Sequence, residues 1–433
     1  MQIAELYKLF LQHPEVTTDT RHCPAGSIFF ALRGATFDGN SFALQALREG
    51  CAYAVVDDAS VTGDDRLIHV DDALVALQQL ATWHRRQLMT PVVQITGTNG
   101  KTTTKELATA VLAQKYKVLS TQGNFNNHIG VPKTLLRLRP EHQVAVIETG
   151  ANHPGEIAQL SEIVDPDCGL ITNVGRAHLA GFGSFEGVIR TKGELYDYLR
   201  MKPGSFIFLD GDNPYLSKMA VGLEAETYGE PGHGYGVEGE VVSCAPTLTF
   251  RFRVKDGGWL EVPTHLIGAY NLSNALAAVA VGHHFGVPAE AAAAAIAAYR
   301  PTNNRSELMQ TAHNRLIVDA YNANPTSMKA ALDNFAQIPD DHKMVILGEM
   351  RELGLVSAQE HEKIVDQAIS MNLEEIWLVG EQFQPYSDEA GVRWFPDVES
   401  VKNALEGGDR PEGRLVLIKG SNGTRLFELP ALL

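Results

Sequence analysis

A glycine-rich segment that ends in a lysine is the clearest candidate for chemistry in this sequence. ITGTNGKTTTKE (95–106) lies between a predicted strand and a predicted helix. Glycines at such a turn let backbone N–H groups approach a phosphate, and the helix N-terminus adds a favourable dipole. Lys101 can then reach the outer phosphates, and Thr102 or Thr103 can offer a hydroxyl to Mg²⁺. We predict a phosphate-binding loop, although the strict G-x-x-x-x-G-K-[ST] pattern fails because position 95 is Ile.

Two further predicted strands end near candidate metal ligands. Glu148 closes the apolar run 144–148, and His178 follows the run 169–174. Ligands of open α/β sheets bind outside the carboxyl ends of the strands, so both residues and Thr102 can converge on a metal beside the phosphates. Mg²⁺ prefers oxygen ligands, which makes His178 the unusual member. A purely structural role for either residue explains the sequence equally well.

An asparagine-rich loop follows another predicted strand. TQGNFNNHIGVP (121–132) contains Asn124, Asn126 and Asn127. Their amides suit hydrogen bonds to a sugar or a peptide. Turn chemistry is an equal alternative, because Asn tolerates left-handed backbone.

Two charged residues have ordinary interpretations when the sequence alone is considered. Lys192 lies in the helical pattern FEGVIRTKGELYDYL, where a solvated lysine is expected. Asp319 begins the run DAYNANPTSM (319–328) after a predicted strand. A helix cap or turn is favoured there over a contact with ribose hydroxyls, which nucleotide-binding folds place at such a position.

The elements that must position these residues alternate between apolar strands and helices. A chain of 433 residues suggests about three domains at roughly 150 residues each. Continuous apolar strands between helices predict a parallel sheet covered on both faces. The strands predicted before the linker PTNNR (301–305) are 27–32, 51–58, 92–96, 117–121, 144–148, 169–174 and 205–210, with a β-like stretch at 236–265 and helices at 42–50, 73–87, 102–114, 271–285 and 288–300. The strands predicted after it are 315–320, 343–348, 375–380 and 414–420, in a second and smaller α/β unit.

Composition excludes several classes of protein. The net charge of −16 argues against a broad nucleic-acid or anionic-membrane surface. The four cysteines are far apart, which is typical of a reducing compartment. We find neither a signal-peptide pattern nor an apolar run of roughly 18 to 20 residues. We therefore expect a cytoplasmic protein that does not insert into membranes or bind nucleic acid.

Several motifs together resemble the Mur ligases, the ATP-dependent amide-forming enzymes of peptidoglycan synthesis. The resemblance extends over all three segments and includes that family's phosphate loop, GTNGKTT. The motifs that carry it are TQGNFNNHIGVPKTLL, ETGANHPGEI, AHLAGFGSFEGV and DAYNANPTSMKAAL. It implies an α/β fold of three domains, with a central parallel-sheet P-loop ATPase domain and a C-terminal Rossmann-like domain. The implied domains are 1–88 for the UDP-sugar substrate, 89–302 for ATP, and 303–433, which closes over ATP and binds D-Ala-D-Ala.

The GNFNN and YNANP motifs resemble the members of the family that add D-Ala-D-Ala. The implied reaction activates the carboxylate of a UDP-N-acetylmuramoyl tripeptide as an acyl phosphate, which the amine of D-Ala-D-Ala attacks. ATP and two Mg²⁺ ions are the implied cofactors, and we expect a monomer. Because water hydrolyses an exposed acyl phosphate, we expect the domains to close about linkers near 88–91 and 301–304.

The resemblance also implies roles for individual residues. Gly97, Thr98, Asn99, Gly100, Lys101, Thr102 and Thr103 correspond to the phosphate loop, and Asn271, Asn274, Arg305 and Asp319 to further nucleotide contacts. Thr102, Glu148 and His178 correspond to the metal site, together with Lys192, which the family carbamylates into a carboxylate-like ligand. Thr20, Arg21, Arg33, Asn40, Asn124, Asn126, Asn127, Tyr321 and Asn322 are the candidate substrate contacts. Lys101, Lys192, His178 and Asn324 are the candidate catalytic residues.

Two departures from the family pattern leave alternatives open. Asn422 stands where many members have an arginine, for which Arg425 is the nearest replacement, and Tyr270 stands where sister ligases have histidine.

The alternative functions within the family are the ligase that adds the third residue and a folylpolyglutamate synthetase-like ligase. A regulatory P-loop ATPase or kinase is disfavoured because the strict motif is absent. An inactive binding module is disfavoured because four candidate residues are intact: Lys101, Glu148, His178 and Lys192.

Overall fold

The first of three β-sheets is small and entirely parallel. The computed structural model describes residues 2–301 and 306–433. The elements of the first sheet's domain are α1 (Ile3–Gln12), β1 (Val16–Thr17), β2 (Ile28–Phe30), α2 (Ala43–Arg48), β3 (Tyr53–Val56), β4 (Leu67–His69) and α3 (Ala73–Arg86). The strand order is β1-β2-β3-β4. Asp72 caps α3, because its carboxylate accepts a hydrogen bond from the N–H of Val75.

The central sheet is larger and combines parallel strands with an antiparallel extension. Its strands are β5 (Val92–Thr96), β6 (Val118–Ser120), β7 (Val144–Glu148), β8 (Cys168–Ile171), β9 (Phe206–Asp210), β10 (Ala225–Gly229), β11 (Val237–Cys244), β12 (Thr247–Val254) and β13 (Leu260–Ile267). The order is β13-β12-β11-β10-β9-β8-β5-β7-β6, and only the β11-β12 and β12-β13 pairs are antiparallel. The chain crosses to either side of β5, which makes that strand the topological switch point.

Helices cover both faces of the central sheet. They are α4 (Lys101–Leu112), α5 (Gly130–Leu135), α6 (Glu156–Val164), α7 (Leu179–Phe182), α8 (Phe185–Met201), α9 (Pro214–Met219), α10 (Asn271–His284) and α11 (Ala289–Ala298). Because helices cover both faces, the strands at the centre of the parallel part are mainly apolar. β5 and β7 are buried throughout.

The third sheet is also mainly parallel. Its domain contains β14 (Glu307–Gln310), β15 (Arg315–Asp319), α12 (Pro325–Gln337), β16 (Lys343–Gly348), α13 (Ser357–Ser370), β17 (Glu375–Val379), β18 (Val392–Phe395), α14 (Val398–Glu406) and β19 (Leu415–Lys419). The order is β14-β15-β19-β16-β17-β18, with only β14 antiparallel to its neighbour. Short 3₁₀ helices lie at Gly39–Phe42, Gly354–Val356, Glu381–Tyr386, Asn422–Thr424 and Leu426–Glu428.

The predicted elements that flank the phosphate loop are confirmed. The strands 92–96 and 144–148 have the predicted bounds, and the helix predicted from 102 begins one residue earlier. The β-like stretch forms β11 to β13. Within the described ranges, no helix combines the length and the apolar character needed to cross a bilayer.

Candidate functional site

Two glycines of the loop between β5 and α4 adopt conformations that other residues resist. Gly97 has φ +143° and Gly100 has φ +79°. A Cβ at Gly97 would lie 2.0 Å from Oγ1 of Thr172, and one at Gly100 would lie 2.4 Å from Oδ1 of Asn274. The backbone therefore turns tightly into the N-terminus of α4, where N–H groups and the helix dipole favour an anion.

Hydrogen bonds from the next strand hold the tip of this loop. The N–H of Asn99 donates to Oδ1 of Asn173 at 3.0 Å, and Oγ1 of Thr172 donates to the carbonyl of Asn99 at 2.6 Å. Nζ of Lys101 folds over the loop and donates to the carbonyls of Gly97 and Thr98, at 2.8 and 2.9 Å. The loop is therefore preorganised, with an ammonium group at its mouth.

Two buried asparagines of α10 fasten that helix to α4. Nδ2 of Asn274 donates to Oδ1 of Asn271 at 2.8 Å, while Oδ1 of Asn274 accepts from Oγ1 of Thr104 at 3.0 Å. Nδ2 of Asn271 donates to the carbonyl of Ile267 at 2.8 Å. These bonds give both asparagines a structural role at the cavity wall, and their adenine contacts stay a prediction.

Glu148 places a carboxylate at the end of β7 with one oxygen unused. The residue is 1% exposed. Its Oε1 accepts hydrogen bonds from Oγ1 of Thr102 at 3.1 Å and Nδ2 of Asn126 at 2.8 Å. No described residue donates a hydrogen bond to its Oε2, although that oxygen is buried. A buried carboxylate oxygen without a donor is costly, and a hard cation such as Mg²⁺ would satisfy it.

The described part of the chain contains no group of three or more His, Cys, Asp and Glu side chains able to hold a metal ion. Glu148 and Thr102 are oxygen donors in contact with each other. The remaining predicted ligands, His178 and Lys192, line the same cavity. The fit to a metal at this end of β7 rests on the unsatisfied oxygen of Glu148.

Lys192 is buried on α8, against the expectation of a solvated lysine. Its Nζ donates to the carbonyl of Ala151 at 3.4 Å and lies 5.3 Å from the centre of the Phe182 ring. Burial, reinforced by the charge of Lys101, lowers the pKa of Lys192 to about 7. The amine is therefore partly neutral near neutral pH, and it lines the cavity that contains Glu148.

His178 is held by a residue of the third domain. Its Nδ1 is in contact with the carboxylate of Glu352, and the N–H of Ala180 donates to the carbonyl of Glu352 at 3.1 Å. Both His178 and Glu352 have left-handed backbone, with φ +50° and +64°. Burial lowers the pKa of His178 against the attraction of Glu352. Non-glycine residues keep such backbone only where their surroundings impose it, which is common at functional sites.

The third domain faces the phosphate loop with the carboxyl ends of β15 and β19. Nζ of Lys419, which is 1% exposed, donates to Oδ2 of Asp319 at 2.5 Å. Nδ2 of Asn324 donates to Oδ1 of Asn99 at 2.8 Å, which bridges the two domains at the loop tip. Asn324 also caps α12 by accepting from the N–H of Ser327.

A cavity of about 590 Å³ lies between the central and third domains. The predicted site residues that line it are Gly97, Thr98, Asn99, Gly100, Lys101, Thr102, Thr103, Asn124, Asn126, Asn127, Glu148, His178, Lys192, Asn271, Asn274, Asp319, Tyr321 and Asn322. Asn324 does not line it but contacts Asn99, and Arg305 lies outside the described residues. Residues predicted from distant parts of the sequence thus converge on one cavity.

The first-domain candidates lie away from this cavity, and three of them are paired with carboxylates. Nε and Nη2 of Arg21 donate to Asp19 at 2.9 and 2.7 Å. Nε of Arg33 donates to Oδ1 of Asp57 at 3.0 Å, and Nδ2 of the buried Asn40 donates to the same oxygen at 2.8 Å. Thr20 belongs to the segment that contains Asp19 and Arg21. Contacts of these residues with a uridine diphosphate stay a prediction.

Sequence reasoning did not identify three residues of the site. Lys419 had a usable signal, because it lies near the end of the predicted strand 414–420, and Asp319 lies near the end of the predicted strand 315–320, which pairs with it in parallel. Asn173 follows β8 in the same way. Glu352 had no signal, because its contact with His178 joins residues 174 positions apart across two domains.

Arg425 makes a local ion pair at the departure from the family pattern. Its Nε donates to Oε1 of Glu428 at 2.6 Å, and it does not line the cavity. Nη2 of Arg351 instead donates to the carbonyl of Gly423 at 3.1 Å, beside Asn422. An arginine from a different loop therefore stands next to the substituted position.

The predicted phosphate loop lies at the switch point of the central sheet and faces the carboxyl ends of β15 and β19 in the third sheet. This arrangement defines a three-domain P-loop α/β protein. Three family models match the chain: "Mur ligase family, catalytic domain" over 14–85, "Mur ligase middle domain" over 95–282, and "Mur ligase, glutamate ligase domain" over 304–422. The chain belongs to the Mur ligase family.

Relatives of known function match the chain over nearly its full length. The UDP-N-acetylmuramoyl-tripeptide–D-alanyl-D-alanine ligase of Bacillus subtilis (strain 168) is 36% identical over 99% of this chain and 96% of the relative. The ligase of the same name from Escherichia coli (strain K12) is 36% identical over 96% of this chain and 92% of the relative.

Solved structures of Mur ligases are also similar to this chain over nearly its full length. A crystal structure of MurF from Acinetobacter baumannii superposes with a TM-score of 0.85 at 33% identity, covering 96% of this chain and 92% of that one. MurF from Thermotoga maritima in complex with ADP gives 0.84 at 25% identity, covering 96% of both chains. A folylpolyglutamate synthase from Thermotoga maritima gives 0.60 at 13% identity, with 83% and 92% covered, and shares the fold alone.

Proposed function

We propose that this chain is an ATP-dependent ligase that joins D-Ala-D-Ala to a UDP-N-acetylmuramoyl tripeptide in peptidoglycan synthesis. The full-length relatives named above support this substrate pair. The observation that carries the chemistry is the unsatisfied carboxylate oxygen of Glu148, which lies in the same cavity as the phosphate loop and Lys101. That arrangement suits phosphate transfer to an anionic acceptor.

The proposed reaction has two bond exchanges. A carboxylate oxygen of the tripeptide bonds to the γ-phosphorus of ATP while the bond to the ADP oxygen breaks. The amine of D-Ala-D-Ala then attacks the acyl carbon, loses a proton, and inorganic phosphate leaves. Both stages place negative charge beside negative charge, so preorganised cations and N–H groups are the main requirement. The loop Gly97–Thr103 and the ammonium of Lys101 supply them.

Magnesium is the proposed metal, and Thr102 and Glu148 are its best-supported ligands because both present oxygen. When bound, Mg²⁺ screens the phosphate charges that the acceptor carboxylate must approach. His178 would add a nitrogen ligand after release from Glu352. Lys192 becomes suitable only after carbamylation, because an ammonium group has no lone pair to donate.

Carbamylation of Lys192 is proposed from its burial and from its surroundings, because no carboxylate oxygen of the described residues lies within 4.0 Å of its Nζ, and Glu156 and Glu194 attract it only over a longer distance. The neutral amine bonds to the carbon of CO₂, one carbon–oxygen π bond becomes an anionic oxygen, and the nitrogen releases a proton. The product replaces a buried cation by an anion that can ligate a metal and balance Lys101. The lowered pKa of Lys192 makes the neutral amine available.

We propose roles for the three domains as follows: 1–88 binds the UDP-sugar, 89–302 binds ATP, and 303–433 closes the site. In the closing domain we assign Asp319 to the ribose, and Tyr321, Asn322 and Asn324 to the D-Ala-D-Ala end. Asp319, Tyr321 and Asn322 line the cavity, and Asn324 contacts the phosphate loop. The proposed location is the cytoplasm, where ATP is available.

The direct test is phosphate release in the presence of ATP, Mg²⁺ and a UDP-muramoyl tripeptide. We expect release with D-Ala-D-Ala and none above background with a single amino acid. Lys101→Ala should abolish turnover, since the ammonium at the loop mouth is lost, while the unfolding curve stays that of the wild type. Release with a UDP-muramoyl dipeptide plus diaminopimelate or lysine instead would assign the chain to the third-residue step.

A further inference from the structure

Lys133 on α5 is a half-buried cation at the junction of the first and central domains. Its Nζ donates to Oγ1 of Thr18 at 3.4 Å and lies 5.2 Å from the centre of the Phe125 ring. Burial lowers the pKa of Lys133 against the attraction of Asp19. The ammonium group is therefore partly desolvated, and the hydroxyl to which it donates is neutral.

The described residues place no carboxylate close enough to compensate this charge at short range. Within residues 2–301 and 306–433, no Asp or Glu oxygen lies within 4.0 Å of Nζ of Lys133. Asp19 attracts it only over a longer distance, and both oxygens of Asp19 already accept hydrogen bonds from Arg21. A desolvated ammonium without an anion is costly. A ligand anion would relieve that cost.

The position of Lys133 fits a substrate anion. On one side it contacts the segment of Thr18, which leads to the predicted substrate residues Thr20 and Arg21. On the other side it lies over Phe125, whose neighbours Asn124 and Asn126 line the cavity. Lys133 thus stands between the segment predicted to bind the uridine diphosphate and the cavity predicted to hold the reacting carboxylate.

The charge distribution of the first domain strengthens this argument. The sequence predicts that Arg21 and Arg33 supply the positive charge for a diphosphate. In the structure, Arg21 is paired with Asp19, and Arg33 with Asp57. Lys133 therefore contributes a positive charge that lacks such a close carboxylate.

We propose that Lys133 binds an anionic oxygen of the UDP-muramoyl peptide and so helps to select that substrate. The inference rests on the proposed function, because it takes its ligand from there. Two parts of the substrate have the required chemistry: the diphosphate and the free carboxylates of the peptide. Either gives a charge-assisted hydrogen bond to the ammonium.

The test is calorimetric binding, without ATP, of UDP, UDP-N-acetylmuramic acid and the UDP-muramoyl tripeptide. Lys133→Met keeps the hydrocarbon stem over Phe125 and removes the charge, so we expect the tripeptide to bind about 10-fold more weakly, as for the loss of one charged hydrogen bond. Lys133→Arg keeps the charge and should stay within about 3-fold of wild type. Lys117→Met is the matched control. Lys117 directly precedes β6 and so lies at the amino end of the central sheet's strands, away from the carboxyl ends where ligands bind.

The ligands distinguish the two anions. Weaker binding of UDP itself assigns Lys133 to the diphosphate, and weaker binding of the tripeptide alone assigns it to a peptide carboxylate. Unchanged binding of all three ligands to Lys133→Met overturns the inference. So does an equal loss in Lys117→Met, which would show a general charge effect.

Kinetics separate this inference from the proposed function. In Lys133→Met the KM for the tripeptide substrate should rise by the same factor as its dissociation constant, while the KM for ATP stays unchanged. A wild-type enzyme that releases no phosphate with D-Ala-D-Ala would refute the proposed function and leave the binding result to be judged alone. Normal turnover with an unchanged tripeptide KM in the variant would refute only the role of Lys133.

Discussion

Lys192 shows how burial changes the acid–base behaviour of an ordinary residue. Its position on α8 removes water from the amine, and Lys101 adds repulsion, so the charged form loses its usual advantage. A lysine in this environment is costly as a cation, and the carbonyl of Ala151 at 3.4 Å compensates it only weakly. Conversion to a carbamate would replace repulsion from Lys101 by attraction.

We expect Lys192→Ala to lose activity. A short carboxylic acid such as formate should restore part of it, because the acid can occupy the space of the carbamate and replace its negative charge. The measurement is phosphate release against formate concentration. Lys192→Arg is the matched control: it keeps the positive charge, cannot be carbamylated, and leaves no space for formate. Full activity of Lys192→Ala without formate would refute the carbamate proposal.

Helix α3 connects two domains through a buried histidine. Both ring nitrogens of His84 make hydrogen bonds. Nδ1 lies 3.2 Å from the hydroxyl of Tyr7, and Nε2 lies 2.8 Å from the carbonyl of Leu138. The neutral ring satisfies both contacts if Nε2 carries the hydrogen. Burial lowers the pKa of His84, so the folded chain favours the neutral form.

This pKa shift makes stability depend on pH in a defined direction. As the pH falls below the ordinary histidine pKa of about 6.5, the unfolded chain takes up the proton first, and the contribution of His84 declines until the folded pKa is passed. We expect His84→Gln to cost about 1–3 kcal/mol of unfolding free energy at pH 7. The loss of unfolding free energy should be smaller at pH 5, because the wild type itself is then destabilised by keeping the ring of His84 neutral in the folded state.

Denaturant unfolding at the two pH values measures the difference. His233→Gln provides the control, because it makes the same substitution at an exposed histidine. An equal destabilisation of His84→Gln at pH 7 and pH 5 would contradict the argument.

Elements with a strong local pattern were predictable from the sequence, and contacts between distant segments were not. β5 and α4 followed from an apolar run and a glycine turn, which act locally. β14 and β18 were not predicted, because these four-residue strands at the sheet edges consist mostly of exposed and half-buried positions, and only Phe395 is buried. The ion pair of Arg33 with Asp57 could not be predicted from the sequence, since these residues are 24 positions apart and meet only after β2 and β3 have paired.

At the scale of the whole molecule, the first two domains share a core and the third is joined differently. One buried apolar cluster runs from Leu6 of α1 through Leu77 and Leu80 of α3 to Leu160 of α6. Each such leucine stabilises the contact by roughly 1.5–3 kcal/mol. This argues against rotation about the linker near 88–91, where Oγ1 of Thr90 also donates to the carbonyl of His142 at 3.0 Å.

Ile267 of β13 packs in the apolar core of the third domain, but three contacts between the central and third domains near the cavity are polar. Asn324 bonds to Asn99, Glu352 contacts His178, and the N–H of Arg176 donates to Oγ1 of Thr326 at 3.3 Å. Water can replace such contacts at a small free-energy cost, which suits an interface that opens and closes. We therefore expect the first and central domains to move as one body against the third. Most of the second predicted linker, 302–304, lies outside the described residues.

A reversible crosslink between α7 and the third domain tests this motion. A Cβ added at Gly354 would lie 3.6 Å from Cβ of Ala180, within the range of disulfides. We expect the oxidised Ala180→Cys/Gly354→Cys variant to lose turnover, because substrates must enter and products must leave through this interface, and to recover it on reduction. The single variant Ala180→Cys, under the same oxidation, controls for the four native cysteines. If the oxidised double variant turns over as fast as its reduced form, catalysis needs no opening at this contact, and the third domain is as fixed as the first.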